Sequence, residues 1–560
     1  MINRYKTLVI FTLFCFFFNK SYTQVNKKTK NAKIQIIHAD IAKPGINKES
    51  PSRLIGNVVL LHNAIRMTCD SLHQFSGENK VEAYGNVHIV QNDTLNLWGN
   101  MVKYDGNSKI ANAYGDVKLK DKSIVLTTDA LKYETDKRIA YYNTGGTIID
   151  DVNILKSQLG HYYSLRNIAY FKKNVTVTNP NYVMYSDTLT YSTISKVIQI
   201  IGPTQIVGEN RTLYSENGWY NTISSHAELY KNNKLTYDNF KVKADTITID
   251  SLTKIADLQK NIEIRDTVNN IIINGDDGRV LKNNNLGYVT KKAMLTLVGK
   301  GDSIFIHSDT LSVRQDSLQN NIMKAYYNVK IFSKELQGRC DSISFPVADS
   351  TIFMRYEPIL WASGNQMTAT DVDVYLKDNK INRFKLIEQS MIVNPIDSTR
   401  YKVTDSTMFN QIKGRTITGY IENNNLYQIY VDGNGETIYY PDEKGIPFAL
   451  THVTSANIRI DLKNKKIDKI TFLSKPEGTM NPIFMVKKSE KFLAHFNWHK
   501  DKKILKKSDI FKQDVIVISG IDSLLQTNTD SLINKNTDRI APKDKRNKFK
   551  GKTTPPRKAK

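Results

Sequence analysis

Short alternations of apolar and polar residues run through most of the chain. Val87-His88-Ile89, Val117-Lys118-Leu119 and Val175-Thr176-Val177 each set apolar side chains two residues apart, as do Thr188-Leu189-Thr190-Tyr191 and Thr246-Ile247-Thr248-Ile249. A period of two marks a strand with one buried face, and no helical period is sustained through this zone. The first three runs follow Gly85-Asn86, Gly115-Asp116 and Lys173-Asn174, which read as tight turns.

A longer period lies over the alternation. At intervals of 29 residues one column reads Phe75, Tyr104, Tyr133, Tyr162, Tyr191, Tyr220 and Ile249. Four residues earlier the same spacing gives Asn100, Asp129, Gln158, Asp187, Glu216, Asp245 and Asn274, and a third column runs Val81, Ile110, Ile139, Ile168 and Val197, resuming at Ile255. Three columns in one register define a structural repeat. Each unit is expected to make two or three short strands with tight corners, giving an all-β fold: an elongated repeat solenoid, or an open twisted β-jelly-roll of two facing sheets. Beyond Ile255 the register loosens, but Asp-centred pieces persist at Asp309, Asp341 and Asp371.

With 560 residues, 40% of them apolar, the chain has material for a large core, and three cysteines exclude a disulfide scaffold. The net charge of +24 is uneven: +5 falls on residues 24–55 and +10 on residues 500–560. Basic arms around a nearly balanced body argue against a nucleic-acid partner; they suit solubilising segments or contact with an anionic membrane surface. At the N-terminus, Arg4 and Lys6 precede an eleven-residue apolar run from Leu8 to Phe18, then Ser21-Tyr22-Thr23. That is the pattern of a cleaved signal and is too short to span a bilayer. The expected organisation is a signal peptide over 1–23, a flexible leader over 24–55, repeats over 56–375 and 376–475, a cap over 476–499 and a mostly disordered tail over 500–560. The edge from Gly56 to Leu61 is expected to be exposed and adhesive.

Gly-Asn-Val, then Asp with Tyr four residues on, then Ile-Ala before the next Gly-Asn/Asp-Val, resembles the OstA family, best over residues 85–117 and 115–145. Lys413-Gly414, Val431-Asp432-Gly433-Asn434, Pro476-Glu477-Gly478 and Phe496-Asn497-Trp498 resemble the long OstA-like proteins of Bacteroidetes-type bacteria. The family includes the LptA-type periplasmic lipopolysaccharide-transport proteins. The resemblance implies a twisted jelly-roll holding acyl chains between its sheets. It also implies lipopolysaccharide (lipid A) and proteins of the same fold in a transport bridge as partners, and a periplasmic place with the outer membrane as a site of association.

Under that reading Val87, Ile89, Val117, Leu119, Val175, Val177, Ile262, Ile264, Val329 and Ile331 line the lipid site, or form an ordinary core if the sheets close. The Tyr column is expected to stack as an aromatic ladder, and the Asp column to accept backbone N–H bonds at corners. Cys69 and Cys340 are expected as buried free thiols. His495 and His499 have helical spacing for zinc but no third ligand nearby. No phosphate loop, catalytic motif, metal site or cofactor site is visible, so the chain is expected not to be an enzyme. The competing readings are a β-helix enzyme acting on polysaccharide and a structural envelope protein.

Overall fold

The structure is a computed structural model and describes residues 32–47, 50–281, 286–299, 301–396, 408–423, 425–463 and 466–513. The predicted signal peptide, residues 24–31 and the tail from 514 onward lie outside the described residues. Among the described residues the chain is all-β. Forty strands join one hydrogen-bonded sheet.

Some repeats are one hairpin of two long strands, such as Lys80–Gln91 with Leu95–Asp105, or Ile168–Asn179 with Tyr182–Ser192; others, over 139–163 and 197–221, are built of short strands of four or five residues. The expected short strands with corners are present in the second kind; in the first they merge, because the Gly-Asn and Lys-Asn pairs do not end strands. Gly85 (φ 73°) and Asn86 (φ 46°) both lie in the left-handed region in the middle of Lys80–Gln91. The pairing jumps there from Tyr84 opposite Met101 to Val87 opposite Gly99. This is a two-residue β-bulge, which bends the strand without ending it. Gly56-Asn57, Gly115-Asp116, Lys173-Asn174 and Lys260-Asn261 repeat the left-handed pair.

Asp245 of the Asp column, with Asp70 and Asp40 at the same place in earlier hairpins, fastens these bends, though not by the bonds expected of the column, and Asn100 donates to Asp116 instead. Asn86 donates its side-chain amide to Asp70 at 2.9 Å, Asn57 to Asp40 at 3.0 Å and Asn261 to Asp245 at 2.8 Å. The acceptor therefore meets a side-chain amide instead of a backbone N–H. A Cβ on Gly85 would come within 2.4 Å of the Asp70 carboxylate, so glycine suits both the φ and the close approach at this bulge, while lysine holds the same position at Lys173 and Lys260.

Because the bulges line up, the sheet folds on itself and two half-sheets face each other. On one half, Ile89, Leu97, Leu119, Leu126, Ile148, Leu155, Val177 and Met184 stand directly opposite one another in succession across eight strands. On the other half, Phe171, Leu189, Ile200, Gly218, Leu229, Ile247 and Leu258 do the same. Both rows are buried. Burying each such aliphatic side chain contributes about 1.5–3 kcal/mol, so adhesion between the halves holds the repeat together.

The apolar interior falls into two main blocks that part between Ile262 and Ile271. The boundary expected at 375/376 lies instead inside the strand Asp371–Lys377.

Both ends differ from expectation. Part of the predicted leader is strand: Gln35–His38 and Ile41–Lys43 pair with the two arms of Ser52–His62, so the edge at Gly56–Leu61 is largely covered. At the other end two buried glutamines clamp an extended segment. Gln366 donates to the Asn497 carbonyl and accepts from the His499 N–H, both at 2.7 Å. Gln411 does the same to Lys491 and Leu493 at 2.7 and 2.8 Å. Phe409 packs against Phe492, Phe496 and Trp498 beneath them. Ile504 and Ile510 are buried too, so the folded body runs past the expected end of the cap at 499. Residues 511–560 form a separate unit, described only for 511–513.

Candidate functional site

The ten residues expected to line a lipid site converge on the interior. Ile89, Leu119, Val177, Ile264 and Ile331 belong to one cross-strand row, while Val87, Val117, Val175, Ile262 and Val329 sit beside the bulges. Nine are buried; Ile264 is half-buried. Their neighbours Lys118 and Thr176 face outward. The two half-sheets pack these side chains against each other, with the bulges at the apex and the hairpin tips at the opposite, mouth side.

The mouth carries the Tyr column, and it does not stack. Four of its phenols, from Tyr104 to Tyr191, reach across to the other half-sheet. Tyr104 O–H meets His62 Nδ1 at 2.6 Å, Tyr133 donates to Gln91 at 2.5 Å, Tyr162 to Asp121 at 2.9 Å and Tyr191 to Asp150 at 2.9 Å. His62 Nε2 faces the Ala32 carbonyl at 2.9 Å, which makes that nitrogen the donor and leaves Nδ1 to accept from Tyr104. Burial pushes the Tyr104 phenol up to about 12 and raises those of Tyr162 and Tyr191 further, so all remain protonated donors. The acidic partners are fully buried and lie beside cations: Arg138 stands 3.9 Å from Asp121, and Lys196 lies 2.6 Å from Asp150. Together these pairs form a polar latch across an apolar cleft.

The partner column is also written in the sequence. His62, Gln91, Asp121, Asp150 and Asn179 recur at intervals of 29 or 30 residues, each ending an apolar alternation on its inward side, as in Val117-Leu119-Asp121 and Val175-Val177-Asn179. A polar residue at a core position needs a partner; the signal is the pairing of two columns rather than either alone.

The latch ends where the Tyr column does. Tyr220 bonds its own turn at Ser225, and the next member is Ile249. Just beyond, the interior loses burial on three consecutive strands of the row, at Leu235, Val242 and Ile264, before closing again at Ile273 and Leu295. On the other half Ile249 is half-exposed and Val280 is 40% exposed. Farther on, Asn379 bridges the mouth to the carbonyls of Asn269 and Val298 at 3.3 and 3.4 Å.

Other candidates carry no chemistry. Cys69 and Cys340 are buried and unpaired, their thiols pushed up to about 11 and about 12 by burial. His495 has φ 69° in a segment of short 3-10 turns, so the helical spacing with His499 is not realised. Among the described residues no group of three or more His, Cys, Asp or Glu could hold a metal ion. No helix among them is long and apolar enough to cross a membrane.

Residues 31–187 and 181–245 match the OstA-like protein family. No curated protein matches the chain. Among solved structures, similarity is found to LptH, the LptA-homologous periplasmic component of the conserved lipopolysaccharide transport device of Pseudomonas aeruginosa. It is 14% identical over 23% of this chain and 76% of that one, with a TM-score of 0.12. Similarity is also found to the extracellular domain of BT4673 from B. thetaiotaomicron, 8% identical over 80% and 98% of the two chains, with a TM-score of 0.09. Neither superposition is close enough to bear on function.

Proposed function

We propose that this chain, which belongs to the OstA-like family over residues 31–245, is a periplasmic carrier of lipopolysaccharide. In this reading its folded sheet acts as the family's β-jelly-roll, and acyl chains are sheltered between the two half-sheets. The observation that carries this reading is the continuous apolar interior row, from Leu60 through Ile89, Leu119 and Val177 to Leu213, shared by every hairpin over that stretch. An acyl chain lying along the row replaces protein–protein contact with lipid–protein contact, and each sheltered CH₂ contributes about 0.8 kcal/mol. The reading is transport and not catalysis. Proteins of the same fold would extend the cleft at the strand edges, and the basic terminal arms would rest on an anionic membrane surface.

The test is photo-crosslinking in cells that make lipopolysaccharide. Crosslinkers at Val117 and Val177 should capture it, and those at outward-facing Lys118 and Thr176 should capture at most about a tenth as much. Equal capture at all four positions, or none at the inward pair, contradicts the reading.

A further inference from the structure

From the break in the interior we infer that the mouth between the Tyr191–Asp150 latch and the Asn379 bridge is the port through which an anionic, acylated amphiphile enters the cleft. The inference rests on the transport reading above and adds to it a place and a charge.

Three observations bear on it. First, the interior is open to solvent here while it is sealed on either side. Leu235, Val242 and Ile264 are each half-buried, whereas Val177, Met184, Leu295 and Ile306 of the same row are buried. Second, the flanking closures are specific bonds: Asn153 reaches Thr222 at 3.2 Å on one side, and Asn379 reaches Asn269 and Val298 on the other. Among the described residues no hairpin tip between them supplies a tyrosine latch. Third, the lip changes charge. Arg211 stands on the lip opposite Tyr237, with Phe240 next in the row, whereas the strand partners at the same place in the latched repeats are Leu95, Ile124, Asn153 and Tyr182; the column of Asp121 and Asp150 itself continues to Asp266.

Arg211 faces the same side as Leu213, is exposed, and makes no ion pair among the described residues. Asp266, which follows Phe240 in the row, forms no ion pair with Arg211: both its oxygens accept hydrogen bonds within its own turn, from the Val268 and Asn269 backbone and the Asn269 amide. On the outer surface of the same strands Lys234 stands directly opposite Lys243, and Lys241 opposite Arg265. Like charges facing each other in a sheet are unfavourable alone and are relieved by an anion. Glu263 is the acidic group that meets them, 3.3 Å from Lys243 and 3.7 Å from Arg265. An apolar opening with an unpaired guanidinium at its lip and a basic surround fits an amphiphile with a phosphorylated head and apolar tails; Arg holds phosphate through paired N–H donors.

The experiment uses the full chain, purified lipid A as probe, and crosslinkers at Leu235 in the port and Val177 in the latched interior. Lipid A should be captured at both. Arg211→Glu should cut capture at both about tenfold, with Arg211→Gln intermediate, and removing the phosphates from lipid A should have the same effect. Arg211 is exposed, so unchanged melting will confirm that the variants remain folded. Capture at Val177 without capture at Leu235 overturns the port and leaves the transport reading standing. Capture at Leu235 that ignores both the Arg211 substitutions and the phosphates overturns the charge assignment. Loss of capture at both positions in the unmodified chain overturns the transport reading and the port together.

Discussion

Replacing Asp150 by alanine is expected to cost about 3 kcal/mol, more than any other single change in the latch. The carboxylate is fully buried and accepts from Ser123 at 2.9 Å, Tyr191 at 2.9 Å and Lys196 at 2.6 Å. Removing it leaves a phenol without its acceptor and an ammonium that is only 13% exposed with Asp151 alone as partner. Burial works against the Lys196 charge, and the bonds to Asp150 and Asp151 more than offset it, so its pKa lies above the ordinary lysine value. Tyr191→Phe should be far milder, about 1 kcal/mol, because Asp150 keeps its other two donors. In a repeat fold the loss is local, so hydrogen exchange over 146–163 and 182–200 is the measurement. Faster exchange confined to those hairpins in Asp150→Ala, and nearly wild-type exchange in Tyr191→Phe, is the expected pair of results. Equal effects from the two substitutions would show that the latch is not built around the carboxylate.

The second large effect concerns the apex. Tyr142 is buried at a corner, with its hydroxyl 2.7 Å from Ser157, and its ring lies in a slot left by two glycines. A Cβ on Gly160 would stand 2.1 Å from that ring and one on Gly146 2.7 Å from it. Neither glycine has a positive φ, so the constraint is space alone. Gly160→Val should therefore destabilise this hairpin by about 3 kcal/mol through overpacking. In a double-mutant cycle, Tyr142→Ala should recover part of that loss, giving a coupling of about 1–2 kcal/mol. Additive losses in urea denaturation would mean that the two positions do not share the slot.

These cases show what the chain's pattern discloses and what it conceals. Strand periodicity and the repeat are visible because the inward parity of Val87 and Ile89, or Val117 and Leu119, is written residue by residue. The length of the strands is hidden, since Gly85-Asn86 has the composition of a turn and acts as a bulge. A turn and a two-residue bulge draw on the same left-handed residues, and only the partner strand separates them. The latch is hidden for a related reason: Tyr162 and Asp121 are 41 residues apart and meet only after the sheet folds. The port is the least legible feature, because Ile249 continues an apolar pattern while breaking a column of phenols. At the N-terminal end the basic composition of 24–55 conceals the strands at Gln35–His38 and Ile41–Lys43, whose stability comes from pairing with Ser52–His62 rather than from their own hydrophobicity.

The central claim is that the apolar interior between the half-sheets shelters acyl chains. Its most direct test is mass spectrometry of lipids that co-purify with the full chain from the envelope of a lipopolysaccharide-producing host, beside a variant carrying Leu119→Asp and Val177→Asp. The account predicts lipopolysaccharide with the unmodified chain and its loss from the variant, with hydrogen exchange showing that hairpins remote from the two substitutions keep their protection. Lipopolysaccharide recovered equally with both, or with neither while the unmodified chain is folded, contradicts it.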